Sequence, residues 1–242
     1  MTTVYPSTKQ SEQSEFVLKQ YTPRKVFICY LDVLGFKKLF ERYSLPSLAI
    51  KYKQIFVEMA ELPERINKEH IKHTTYSDTI ILWTTDDSWE CFEILCTWAC
   101  SLLCAGFALM PLSGAIAYGE CILEDDLVLG RPLIRAYEES KKQDWVGGRL
   151  VSGVCSPPTE FIAKGVERGF LVEWDIPIKE DKEIKHEKGW ALDMTYTLAR
   201  SSALNVESYG VDVPDEAKNK WIESRRFVFE RLKSRSQLMV EE

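Results

Sequence analysis

Asp32 and Asp78 are the residues of this chain best placed to do chemistry, because each interrupts an apolar, β-prone run. The first stands in Val26-Phe-Ile-Cys-Tyr-Leu-Asp-Val-Leu-Gly-Phe36, the second in Thr74-Thr-Tyr-Ser-Asp-Thr-Ile-Ile-Leu-Trp83. A carboxylate there is costly to desolvate unless a cation or a hydrogen-bond donor meets it. Two carboxylates brought together by neighbouring strands repel each other until a divalent cation lies between them. Oxygen-only ligation suits Mg²⁺ or Mn²⁺, and those ions suit phosphates. Each residue also has a plainer reading, Asp32 as a helix N-cap and Asp78 as an Asx-turn residue in a hairpin.

The elements that must position them follow from the pattern. Residues 25–31 alternate as a strand, with Ile28, Tyr30 and Asp32 on one face and Phe27, Cys29 and Leu31 on the other. Gly35 permits a tight turn, and Phe36 opens a helix. A longer helix is expected from about Pro46 to Arg65, with Leu48, Tyr52, Ile55, Phe56 and Met59 as its apolar stripe. Tyr76-Ser-Asp78 has turn chemistry between two strand-like runs, so Asp78 is expected at or just past a hairpin bend. An apolar helix at 88–109 then leads to a strand from Ser113 to Tyr118 and another around Leu123–Leu129. Gly130-Arg-Pro opens a helix running to about Lys142, with Pro132 suited to its first turn. Beyond it the pattern predicts strands at Arg149–Cys155, Phe170–Trp174 and Gly189–Asp193, and helices at 156–168, 194–205 and 216–234. The sum is one α+β domain over residues 21–242 with a mostly antiparallel central sheet flanked by helices. Residues 1–20, polar and rich in Ser, Thr and Gln, are expected to be a flexible N-terminal segment.

Composition narrows the function classes. At 242 residues, 45% apolar and 28% charged, the chain can bury a sizeable core. A net charge of −6 argues against a broad nucleic-acid binder. The seven cysteines include no Cys-x-x-Cys pair, and His70, His73 and His186 lie far from them in sequence. Spacing therefore predicts no zinc site, but small buried thiols in a reducing cytoplasm. From Ile94 to Gly119 there is no charged residue, long enough to cross a bilayer. Pro111 and Gly106, Gly114 and Gly119 break that stretch, and a buried helix running into a buried strand is the expected form.

Four motifs together resemble the catalytic domain of class III nucleotidyl cyclases. They are Tyr30-Leu-Asp-Val-Leu-Gly-Phe36, Tyr76-Ser-Asp-Thr-Ile-Ile81, Ser113-Gly-Ala-Ile-Ala-Tyr-Gly119 and Gly130-Arg-Pro-Leu-Ile-Arg-Ala-Tyr-Glu-Glu-Ser140. With Ser-Asp in place of Gly-Asp, the chain looks most like the pyrimidine (uridylate or cytidylate) cyclases of Pycsar anti-phage systems. That resemblance implies a homodimer that attacks the α-phosphorus of a nucleoside triphosphate with the ribose 3′-oxygen and releases diphosphate. It implies two divalent ions, Mn²⁺ or Mg²⁺, held by Asp32 and Asp78 with the main-chain carbonyl of Val33. Backbone N–H groups of Leu34, Gly35 and Phe36 would meet the phosphates at a helix start, with Lys37 either adding charge or simply solvated. UTP is the favoured substrate, and a cyclic-nucleotide-sensing effector would act downstream through the product.

The departures sharpen the expectation. The base-selecting Lys of adenylate-type cyclases is Thr74 here and its partner Asp is Leu127, so adenine recognition of that type is not expected. Thr74 or Tyr52 would face the base. The helix that supplies an Asn and an Arg to the transition state reads Leu133 and Tyr137 instead, leaving Arg131 or Arg135 to substitute. Two alternatives stay open: a catalytically weak, cyclase-like nucleotide-binding dimer, and a membrane-associated protein using residues 94–119.

Overall fold

Strand β1 (Arg24–Val33) organises the molecule, because its alternating residues serve two different layers. The computed structural model describes residues 21–60, 69–124, 127–180, 183–197 and 218–238. Around β1 are α1 (Phe36–Arg42), α2 (Leu45–Ala60), β2 (Ile71–Tyr76), β3 (Thr79–Thr84) and α3 (Trp89–Leu109). There follow β4 (Leu112–Glu124), β5 (Leu127–Gly130), α4 (Arg131–Lys142), β6 (Gly147–Leu150) and α5 (Thr159–Arg168). A long hairpin, β7 (Leu171–Glu180) and β8 (Glu183–Leu192), and α6 (Lys218–Leu238) complete the order. The strands form one eight-stranded sheet in the order β2-β3-β1-β4-β6-β8-β7, with β5 paired to β4. Among the described residues, only β4 and β6 pair in parallel. This is the expected α+β architecture, a mostly antiparallel mixed sheet flanked, among the described residues, by six helices.

One face of the sheet packs on α3. Phe27, Cys29, Leu31 and Val33 of β1 meet Phe92, Leu95, Cys96 and Ala99 of that helix in the main apolar cluster. Burial of each large side chain there is worth about 1.5–3 kcal/mol. Helix α3 is apolar on nearly every side because the protein surrounds it. It is long and apolar enough to cross a membrane, but 78% of its most apolar window is buried in the fold. The uncharged stretch after Ile94 is thus half core helix and half sheet strand, as the break at Pro111 predicts. All seven thiols are reduced, and six are buried.

The other face packs on α4. Tyr30, Ala115, Ala117, Ala136, Val151 and Cys155 form a smaller cluster there, joined by Ile81 and Leu133. Small residues on β4 let the helix approach. Gly114 is required by β1: a Cβ at that position would stand 2.1 Å from the Tyr30 carbonyl oxygen.

Boundaries differ from expectation at identifiable places. The strand expected around Leu123–Leu129 is instead the end of β4 and a separate β5. The strand expected over Arg149–Cys155 stops at Leu150, and Gly153–Cys155 forms a 3-10 turn with Gly153 at φ 78°. The β7–β8 hairpin extends well beyond the two short strands expected, through charged residues that pair along its length. Residues 1–20, most of the helix expected at 194–205 and the end of the helix expected to reach Arg65 lie outside the described residues.

Candidate functional site

Register brings the two aspartates to one end of the sheet. β1 and β3 pair antiparallel with Asp32 opposite Thr79, and the Val33 N–H donates to the Asp78 carbonyl at 2.8 Å. Asp78 therefore sits beside Asp32, in the two-residue turn that joins β2 to β3. In an extended residue N–H and C=O project to the same side, so the Val33 carbonyl also faces this turn. The Asp32 side chain is 13% exposed, and Asp78 is half-buried. Two tyrosines report the shared field. Burial first, then the charges of Asp78 and Asp32, pushes the Tyr52 hydroxyl above its ordinary range. Tyr30 is raised as well, by burial first, with contributions from both carboxylates.

The turn itself is buttressed. Tyr52 donates its hydroxyl to the Ser77 carbonyl at 2.6 Å, and Ser77 has φ 56°, a left-handed conformation uncommon for a side chain other than Gly, Asn or Asp. Tyr52 thus supports the turn that carries Asp78, rather than standing free to read a base.

A residue just beyond the last of the four motifs joins the two aspartates. Lys141, near the end of α4, places its Nζ 2.7 Å from Asp32 Oδ2 and 5.6 Å from the centroid of the Tyr137 ring. Tyr137 in turn meets Tyr30 edge-on at 5.5 Å between centroids. Burial alone would lower the Lys141 pKa, but the hydrogen bond and charge of Asp32, with smaller contributions from Tyr30 and Tyr137, outweigh it, and the net shift is upward. Leu133, Tyr137 and Lys141 recur every four residues, which is one helix face. Stepping one more turn along that face in the sequence would have found this lysine.

Helix α4 is held in place by a buried charge network. Arg149, 1% exposed, donates from Nη2 to Glu187 Oε1 at 2.9 Å and holds Nη1 3.6 Å from Glu139 Oε2. Lys142 and Arg135 approach the other oxygen of Glu139 at 3.0 and 3.5 Å. Gln143 donates to the Gly114 carbonyl at 2.8 Å and pins the helix end to β4.

The remaining expected residues divide. Gly35, at φ 71° with nothing within 4 Å of a built Cβ, is required by conformation rather than by space. Gly35 and Phe36 lie at the N-terminus of α1, where the first N–H groups of a helix lack intrahelical partners. The Leu34 N–H, in contrast, is engaged by the Pro111 carbonyl at 2.8 Å and is not available to a phosphate. Lys37 is exposed beside this turn. Thr74 is exposed on edge strand β2 opposite Ile81, on the same sheet face as Asp32. Arg131 is not brought to the carboxylates within one chain: ten residues of helix, about 15 Å, separate it from Lys141. Arg135 is engaged by Glu138 at 2.6 Å.

Folding also overturns the expectation that histidine and cysteine stay apart. His70 Nδ1 lies 3.7 Å from Cys91 Sγ, at the opposite end of β3 from Asp78.

No family model matches this sequence, and no curated protein is similar enough to count as a relative. Solved structures with a similar backbone are nucleotide cyclase domains. The guanylyl cyclase Cya2 aligns at 12% identity over 71% of this chain and 93% of its own, with a TM-score of 0.43. The dimeric guanylyl cyclase domain of the RhoGC fusion protein from Blastocladiella emersonii aligns at 14% identity over 70% and 94%, TM-score 0.49. The adenylate/guanylate cyclase/hydrolase from Silicibacter pomeroyi aligns at 12% identity over 72% and 98%, TM-score 0.48. Likeness at this level concerns the fold alone, and residue roles in this chain rest on its own geometry.

Proposed function

We propose that the chain is a divalent-metal-dependent pyrimidine nucleotide cyclase, converting UTP to 3′,5′-cyclic UMP and diphosphate as a cytoplasmic signal in anti-phage defence. The observation that supports this reading is the β1–β3 register, in which the Val33–Asp78 backbone hydrogen bond brings the two aspartate residues to one end of the sheet.

The donors present fit a hard divalent cation. Asp32, Asp78 and the Val33 carbonyl offer oxygen alone, the set that suits Mg²⁺ or Mn²⁺. Lys141 already supplies a positive charge to Asp32 at 2.7 Å. Directly opposite Asp32 on β4, the buried Ser113 hydroxyl has no hydrogen-bond partner among the described residues. When bound, the metal would lower the pKa of the ribose hydroxyl and neutralise triphosphate charge.

The chain's own groups have distinct tasks in this reading. Asp32 and Asp78 hold the cations. Gly35 and Phe36 present N–H groups to the phosphates, with Lys37 exposed alongside. Lys141, on a half-exposed side chain, can transfer its ammonium from Asp32 to the phosphoryl oxygens, the role that Leu133 and Tyr137 cannot fill. Thr74, exposed on the Asp32 face of the sheet, would meet the base in this reading, and the absence of Lys at this position argues against the adenine recognition of adenylate-type cyclases. A homodimer supports a part for Arg131 that one chain does not, since the partner's helix can bring that arginine to a shared cleft.

Purified protein incubated with each of the four ribonucleoside triphosphates and Mn²⁺ tests the proposal. Cyclic UMP is the expected main product. Preferential turnover of ATP or GTP would overturn the pyrimidine assignment, and no turnover of any triphosphate by folded protein would overturn the enzyme.

A further inference from the structure

We propose that His70, Asp86 and Cys91 form a zinc site. One ligand atom from each lies within 4.8 Å of the other two. The three arrive from separate segments: His70 just before β2, Asp86 in the loop after β3, and Cys91 in the first turn of α3. Strand β3 separates this cluster from Asp78 by roughly 20 Å.

The chemistry of the donors selects the metal. Nitrogen, thiolate sulfur and carboxylate oxygen together suit Zn²⁺ and not the Mg²⁺ or Mn²⁺ proposed at the other end. A tetrahedral zinc with bonds of about 2.3 Å to sulfur and about 2.0–2.1 Å to nitrogen holds those two atoms about 3.6 Å apart. His70 Nδ1 and Cys91 Sγ stand at 3.7 Å. One thiolate and one carboxylate balance the double charge of the ion.

The surroundings agree with this assignment. His70 Nε2, the ring nitrogen turned away from Cys91, lies 3.9 Å from Glu90 Oε1. A carboxylate on the far side of a ligating imidazole fixes the tautomer and raises its basicity. Ser88 donates its N–H to Asp86 Oδ1 at 2.9 Å, which fixes the direction of that carboxyl group. The Thr85 hydroxyl lies 3.8 Å from Cys91 Sγ, and the Thr85 N–H donates to the His70 carbonyl at 3.0 Å, which fixes the two loops against each other. Cys91 is buried while Asp86 is exposed, so the ion has an entry path. Three protein ligands leave a fourth corner for water. Bound zinc would staple the β2–β3 hairpin to the start of the core helix.

This site stands or falls without the cyclase reading. The untagged 242-residue chain, stripped with a chelator, is titrated with Co²⁺ alone and then with Zn²⁺. A thiolate-to-cobalt charge-transfer band is expected, bleached by one equivalent of zinc. Cys91→Ser should abolish the band. His70→Ala and Asp86→Asn should each weaken cobalt binding at least tenfold, and Cys104→Ser, about 20 Å further along α3, should leave it unchanged. Asp32→Ala should also keep the band, because oxygen-only ligation gives no thiolate signal. The proposal fails if wild type shows no band, or if the band survives Cys91→Ser. It fails equally if His70→Ala and Asp86→Asn bind cobalt as tightly as wild type. Should Cys91→Ser lose its fold by circular dichroism, the exposed Asp86→Asn decides alone.

Discussion

Leu31 and Asp32 are neighbours on one strand, yet they belong to two different kinds of protein interior. Leu31 points to the α3 face, where apolar residues from β1, α3, α5 and β7 make one continuous cluster. Asp32 points to the α4 face, where the packing is small residues, tyrosines and ionised groups. The first face stabilises through area and shape. The second spends stability on charges that must each be met by a partner. The main apolar core and the proposed site thus lie on opposite faces of one sheet.

The sharpest way to break this comparison is to truncate both neighbours. In the proposed metal-dependent cyclase, Asp32→Ala, and equally Asp78→Ala, should lower turnover on the order of 10³-fold or more, since several kcal/mol of transition-state stabilisation would be lost with the cations. Thermal unfolding should move little, because Lys141 is half exposed and can return to water. Leu31→Ala should do the reverse: a loss of about 2–5 kcal/mol in stability from the cavity it leaves, with turnover per folded molecule nearly unchanged. Calorimetry and the cyclase assay on the same samples separate the two. A folded Asp32→Ala enzyme with near-normal turnover would end the metal assignment.

Arg149→Ala tests whether the α4 face depends on paired charge. Glu139 is buried and Arg149 is its deepest partner. Removing one member of a buried pair typically costs about 3–5 kcal/mol, because the other charge stays behind. Chemical denaturation should show a loss in that range. A loss below about 1 kcal/mol would show that Lys142 and Arg135 suffice for Glu139.

The two faces also differ in how far the sequence discloses them. Alternation along β1, the apolar run of α3 and the Gly130-Arg-Pro start of α4 are local patterns, and the elements appear where those patterns predict. Asp32 and Asp78 stand out for the same reason, as charges in apolar company. The α4 face is different because its meaning lies in long-range pairs. Arg149 finds Glu139 and Glu187, and Lys141 finds Asp32, only after strands come into register, and His70 meets Cys91 at the start of α3 in the same way. Nothing in the spacing of those residues encodes the meeting. Lys141 alone left a signal, as the next step on the Leu133–Tyr137 helix face. The β7–β8 hairpin exceeds its expected length because charged residues such as Lys179, Glu180 and Glu183 carry weak strand signals, although backbone pairing accepts them at an exposed end.

Lys141→Ala sharpens the comparison at lower cost to the fold. In the proposed cyclase, loss of this cation should reduce kcat about 10²-fold, with nucleotide binding affected less. The net pKa shift of Lys141 is upward from 10.5, so its contact with Asp32 contributes stability below that value and fades only as pH rises through the folded one. The deficit of the variant should therefore be the same at pH 7 and pH 9. A deficit that shrinks between those values would point to a different group.

The smallest effect concerns strain at the turn that presents Asp78. Ser77 holds φ 56°, where an L side chain costs about 1–2 kcal/mol, and the Tyr52 hydrogen bond keeps it there. Ser77→Gly relieves that cost but gives back part of it, because glycine loosens the unfolded chain. A net gain of about 0.5–1 kcal/mol should remain, read as a rise in Tm of a few degrees. Turnover should be preserved, since the backbone that carries Asp78 is unchanged. If stability gains nothing, the left-handed serine is not strained, and the α4 face is no more costly at its turn than the α3 face is in its core.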